Sequence, residues 1–305
     1  MKFLFLLWAW SINLFALEDP FGPQFLKRVE EIHGYFDSLP ARHSDLVHKT
    51  KLMKTTNGYD LSIFTLGKVD AKRRVLLLCN HHGDEQWVAQ LCVDFTKYLL
   101  FSYPNSPWLK EWFSDTALDI LPIGNPDGFA KGSRYTAKGN DINRNFPFMW
   151  NYVEEGTVNT RPGPHALSEG EATALHDYQL KHDGEWILIL NYHLSYPDSG
   201  PENYILLPWA YTRKKELSAA EMDQYWKFLP NKAEAPTFSV DTIPNVFYPC
   251  SGTHTDWSWE RFRAPAMTME LGHGYTLPTR SVYLEKFLKE ENLPVFLRFL
   301  RGVKS

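Results

Sequence analysis

Two hydrophobic rhythms alternate along this chain. Residues 75–80 form a near-continuous apolar run after Lys72, Arg73 and Arg74, which predicts a strand buried on both faces. Directly after it, Val88, Leu91, Cys92, Phe95 and Leu99 recur at helical spacing and predict a helix over 87–100. Residues 118–123, 186–192, 204–207 and 267–271 repeat the strand pattern. Helices are expected at 23–37 and at 168–181, the second opened by a capping box of Ser168 and Glu171. A last helical region spans 281–301, with an interruption expected at Pro294. Buried strands alternating with amphipathic helices predict a single α/β domain: a mixed, mostly parallel twisted sheet with helices on both faces. In such sheets, ligands gather outside the carboxyl ends of the strands.

The N-terminus breaks this rhythm. Lys2 precedes an apolar run from Phe3 to Ala16, followed by Leu17-Glu18-Asp19-Pro20. One positive charge, an apolar stretch and a small residue at its end predict a signal peptide over 1–16, hence export to the periplasm or outside the cell. The run is shorter than the ~20 residues that cross a bilayer as a helix, so no stable span is expected after cleavage. An uncleaved anchor and a buried N-terminal helix are the competing readings.

At 305 residues with 44% hydrophobic content, the chain can build one large core, assigned to 17–305. The net charge of −4 comes from 32 basic and 36 acidic residues without a basic cluster, which argues against nucleic acid as a partner. The three cysteines, Cys79, Cys92 and Cys250, are too few for a disulfide scaffold or a cysteine-based zinc site.

Two predicted strands end in histidine. One leads into His81-His82-Gly83-Asp84-Glu85, the other into Asn191-Tyr192-His193. A His and a Glu three apart, joined by a distant His, match the three-ligand, open-position arrangement of catalytic zinc. The pattern His-x-x-Glu recurs at His182 and Glu185, but beside a Gly and at the opposite end of a strand, where a solvated turn is expected.

Further segments narrow the reading. Asn125-Pro126-Asp127-Gly128 precedes Asp141-Ile142-Asn143-Arg144-Asn145-Phe146; later come Tyr248-Pro249-Cys250-Ser251-Gly252-Thr253-His254-Thr255-Asp256-Trp257 and Thr268-Met269-Glu270-Leu271. In this order, with His82, Glu85 and His193, these blocks resemble the zinc metallocarboxypeptidases of the M14 (funnelin) family, from about residue 30 to the C-terminus. The resemblance implies one zinc ion (Zn2+) per chain on His82, Glu85 and His193. It implies that Asp141 accepts a hydrogen bond from the first zinc histidine. Glu270 then serves as general base toward the attacking water and returns the proton to the leaving amine. Arg134, across a loop shorter than in digestive members, would stabilise the oxyanion. Asn143 and Arg144 would grip the terminal carboxylate of a peptide, Arg144 through its planar fork. Tyr248 would close over the bound terminus.

The same resemblance sets expectations about organisation. No inhibitory prodomain and no C-terminal β-sandwich are expected, and the compact, secreted form is like bacterial members, several of which trim peptidoglycan stem peptides. Thr255 takes the place where an acid would mark a preference for Lys or Arg. With Cys250, Thr253 and Thr268 it suggests a neutral pocket. The partner is a peptide with a free C-terminal carboxylate, a muropeptide being the more specific candidate, and a monomer is expected. An amidase or deacylase of the same family and a catalytically silent binding module are the alternatives. Asn125 to Gly128 carries turn chemistry, and His254 and His273 are expected to be packed or solvated.

Overall fold

The computed structural model describes residues 20–195, 202–272 and 279–304. The expected signal peptide and His273 lie outside these residues. After helix α1 (Val29–Arg42) come β1 (Val47–Lys54), β2 (Asp60–Leu66), β3 (Arg73–Cys79), α2 (Gln86–Ser102), α3 (Pro107–Asp115), β4 (Thr116–Leu121) and α4 (Pro126–Lys131). The second half holds α5 (Gly170–Lys181), β5 (Trp186–Leu194), β6 (Asn203–Leu207), α6 (Ala219–Trp226), β7 (Phe238–Thr242), α7 (Ile243–Val246), α8 (His254–Phe262) and β8 (Ala266–Leu271).

The strands form one sheet in the order β1-β2-β4-β3-β5-β8-β6-β7. The central four, β4, β3, β5 and β8, run parallel, while β2 and β6 flank them antiparallel. This is the expected mixed, mostly parallel α/β domain. Its central strands are buried on both faces, which is why they read as unbroken apolar runs. Tyr192 meets Phe95 of α2 edge-on at 5.8 Å, whereas Thr268 bonds Thr255 of α8, so helices cover both faces.

Strands β1, β2 and β7 and helices α3, α4, α6, α7 and α8 fall outside the elements that the pattern predicts. β1 and β7 are the outermost strands, and their mixed burial dilutes the apolar signal.

Two local expectations are corrected. Ser168 does not cap α5: the N-cap is Glu169 and gives no side-chain cap, while Ser168 Oγ accepts from Asn145 Nδ2 at 2.9 Å. Loop partners have outcompeted the local cap. Nor does Pro294 break the last helix. The backbone stays right-handed from α9 (Arg280–Val282) through a π-helical stretch (Tyr283–Asn292) into α10 (Leu293–Gly302). Pro294 lies in the first turn of α10, where the hydrogen-bond register changes and its missing N–H costs little.

Candidate active site

The candidate residues gather at the carboxyl ends of β3, β5 and β8. His82 and Glu85 lie in the turn from β3 to α2, and Asn80 just before them takes φ 57°, turning the chain out of the strand. The turn packs on the start of α4 with no room for a side chain: a Cβ on Gly83 would stand 2.0 Å from the Gly128 carbonyl carbon. Gly128 is in turn held by Asn125, whose Oδ1 accepts its N–H at 2.9 Å, so the expected turn at 125–128 is the N-cap of a short helix.

His193 sits near the end of β5, in register with Glu270 on β8. Its Nδ1 lies 3.0 Å from Glu85 Oε2 and 3.1 Å from His82 Nδ1, and His82 Nδ1 lies 2.6 Å from Glu85 Oε1. All three side chains are buried, and their ligand atoms lie within 4.8 Å of one another. Two imidazoles and a carboxylate converging at this range suit a zinc ion, in chemistry and in number. The backbone N–H of Leu194 also donates to Glu85 Oε2, at 3.2 Å.

His82 Nε2 faces Asp141 Oδ1 at 3.2 Å, which leaves Nδ1 for the metal side. Arg134 binds the other oxygen of Asp141, through Nε at 2.9 Å and Nη2 at 2.8 Å, and its Nη1 lies 3.1 Å from His82 Nδ1. Burial opposes charge on Asp141, yet Arg134 and His82 hold its carboxyl well below the usual carboxylate range. Glu270 is half-buried, and burial together with the Glu85 carboxylate pushes it up to about 8, against His82, Arg134 and Arg144.

The sequence-expected residues do not all meet in one place. Among the described residues, His82, Glu85, Arg134, Asn143, Arg144, Tyr248 and Glu270 line one recess. Asp141 lies behind His82. Thr255 is buried, shares a 2.6 Å hydrogen bond with Thr268 and is not among the lining residues. Thr253 spends its hydroxyl on the Asp256 N–H as cap of α8. Asp256 itself is turned away, accepting from the Ala210 N–H at 2.8 Å and from the Tyr211 N–H at 3.2 Å.

The side wall is formed instead by Leu194, Ile243, Phe247 and Cys250, and Ser195 completes the lining. Of these, the sequence reading reached only Cys250. Ser195 could have been found from its place two residues beyond His193, but Ile243 and Phe247 belong to a segment without strand or helix periodicity. His254 is packed, as expected. Its backbone N–H donates to Asn143 Oδ1 at 2.9 Å and its Nε2 meets Gln179 Oε1 at 2.7 Å. Burial and the neighbouring His193 push its ring down to about 3, so it stays neutral.

Among the described residues no helix is long and apolar enough to cross a membrane. Comparison with known proteins agrees with the geometry. Carboxypeptidase A6 of Homo sapiens is 28% identical over 280 residues, covering 82% of this chain and 62% of its own length. Carboxypeptidase B of Astacus astacus is 23% identical over 305 residues, covering 90% of this chain and 97% of its own length. The chain thus spans about three-fifths of the first relative's length and nearly all of the second's. The structure of bovine thrombin-activatable fibrinolysis inhibitor, in complex with tick carboxypeptidase inhibitor, superimposes with TM-score 0.74 at 19% identity, covering 92% of this chain and 98% of that one. With the zinc carboxypeptidase family model matching residues 32–292, the chain belongs to the zinc carboxypeptidase (M14) family.

Proposed function

We propose that the protein is a zinc-dependent carboxypeptidase that hydrolyses the last peptide bond of a peptide with a free terminal carboxylate. The observation that carries this reading is one recess lined by His82 and Glu85, the Asn143–Arg144 pair and Glu270, with the buried His193 closing on His82 and Glu85. A bound zinc would polarise the scissile carbonyl and lower the pKa of water beside it. His82, Glu85 and His193 would hold that zinc, with Asp141 fixing the tautomer of His82.

The protein's own groups supply the rest. Arg144 and Asn143 anchor the terminal carboxylate and so restrict cleavage to the chain end. Glu270, with its carboxyl raised toward neutrality, can take a proton from the attacking water and pass it to the leaving amine. Arg134, fixed by two bonds to Asp141 with Nη1 beside His82, would offer a charged donor to the developing oxyanion. Tyr248, on the rim, can cover the bound terminus. Among the described lining residues the carboxylates are Glu85 and Glu270, both engaged in the chemistry. The wall of Leu194, Ile243, Phe247 and Cys250 therefore favours release of a residue with a neutral side chain. The N-terminal run supports export as a secreted protein, where a muropeptide stem is the more specific candidate substrate.

The test uses zinc-loaded protein with blocked dipeptides ending in neutral, basic or acidic residues, and with muropeptides, products being identified by mass. Release of neutral C-terminal residues is expected, and silence on every substrate would overturn the reading. Glu270→Gln should keep its zinc and lose roughly 10³-fold in kcat. Retained turnover would remove Glu270 as the base.

A further inference from the structure

Arg134 and Asp141 reach the ligand cluster from the two ends of a short loop, residues 135–140. The loop closes on itself: the Thr136 N–H donates to Asn140 O and the Gly139 N–H to Thr136 O, each at 2.9 Å. Gly139 takes φ +86° to make the turn. Those bonds shape the loop but do not set its orientation over the sheet.

Single bonds tie the loop at separate points, from the Asp141 N–H to Arg161 O at 2.8 Å, Asn125 Nδ2 to Arg134 O at 3.2 Å and Lys138 Nζ to Ser168 O at 2.9 Å, while one carboxylate joins its two ends. Glu169, 1% exposed, accepts from Thr136 Oγ1 at 2.7 Å with one oxygen and from Asn140 Nδ2 at 2.8 Å with the other. Thr136 lies two residues after Arg134, and Asn140 directly precedes Asp141. A single buried group thus grips both roots of the loop. Glu169 stands at the N-cap of α5, where a side chain ordinarily serves its own helix, and gives no cap there. Its backbone N–H donates to Asn145 Oδ1 at 2.9 Å, which ties the grip to the segment carrying Asn143 and Arg144.

We propose that Glu169 is a positioning residue: through Thr136 and Asn140 it holds Arg134 and Asp141 in register with His82. The proposal rests on the carboxypeptidase reading for its kinetic consequence. A carboxylate suits the role because it only accepts, and both partners donate. In Glu169→Leu no acceptor would remain, so both roots of the loop would lose their bond, whereas in Glu169→Gln the Thr136 hydroxyl could turn to accept from the new amide. Burial of the carboxylate is costly, and its two bonds offset that cost together with Lys138 Nζ, 4.0 Å from Oε1.

The experiment compares Glu169→Leu, Thr136→Val and the double variant with the wild type. In zinc-loaded protein each single variant should lose roughly tenfold or more in kcat with KM nearly unchanged, the size typical of outer partners of a metal site. The double variant should be little worse than Glu169→Leu alone, because the Thr136 bond is already lost there. In metal-free protein, amide exchange across 135–141 should quicken roughly tenfold in both variants, since local opening sets that rate. A lowered melting temperature with unchanged kcat and unchanged loop exchange would overturn the proposal and leave Glu169 a stability residue. A wild type silent on all peptides would instead sink the carboxypeptidase reading, and loop exchange would still decide whether Glu169 grips the loop.

Discussion

The chain carries His-x-x-Glu twice, with nearly the same internal contact. His82 Nδ1 lies 2.6 Å from Glu85 Oε1, and His182 Nδ1 lies 2.8 Å from Glu185 Oε2. The surroundings differ. The first pair follows the carboxyl end of β3, where a third side chain, His193, closes on the same point. The second precedes β5, where Glu185 faces two cations, Lys72 Nζ at 2.8 Å and Arg74 Nε at 3.0 Å. Arg74 is buried and also paired with Asp119 at 2.8 Å. The expected solvated turn is therefore half-buried and anchors a core arginine. What distinguishes the copies is the source of positive charge. Around Glu185 it is built into the chain; around Glu85 the neighbours are imidazoles, whose neutral nitrogens can donate to a metal.

That contrast can be broken experimentally. The largest effect is expected on metal content: His193→Ala should lose most of its bound zinc, whereas His182→Ala should keep it. Equal zinc in both variants, measured by atomic emission after dialysis, would erase the distinction. Next, Asp119→Ala would remove the fully buried partner of Arg74 and leave it only the half-buried Glu185, so the fold should be destabilised by about 3 kcal/mol in urea unfolding, without changing zinc affinity. A loss of metal from that variant would show that the two regions are coupled. Asp141→Asn should weaken zinc binding roughly 10- to 100-fold through the freed orientation of His82, and chelator competition reads this directly.

The smallest effect concerns pH. Burial raises Glu185, but Lys72, His182 and Arg74 outweigh it and bring the carboxyl from 4.5 down to about 2. A group lowered on folding stabilises above its unfolded value and loses that contribution as pH falls toward the folded one. Glu185→Gln should thus be modestly less stable than the wild type at pH 7. The two unfolding curves should converge between about pH 4.5 and pH 2. Parallel curves would mean that the ion pairs add nothing.

Much of this molecule can be read from residues alone, and the limits have physical causes. The central strands were legible because burial on both faces makes apolarity continuous. The outer strand β1, with Lys49, Thr50 and Lys51 exposed, carries no such signal. His82, Glu85 and His193 were legible because each follows or ends a strand. The capping box at Ser168 failed for the opposite reason: its hydroxyl is claimed by Asn145, which is 23 residues away along the chain. Thr255 was expected on the pocket wall, yet its hydroxyl is closed against Thr268 and the wall belongs to Ile243 and Phe247.

The sequence by itself determined the layered α/β architecture, the family and the inventory of groups able to bind metal, carboxylate and proton. Local periodicity and residue chemistry encode those directly. Only the tertiary structure decided what the second copy of His-x-x-Glu pairs with, which side chains face the recess, and which carboxylate holds the Arg134 loop. Those outcomes depend on contacts between distant segments, where each donor takes the best-placed acceptor in space rather than the nearest in sequence.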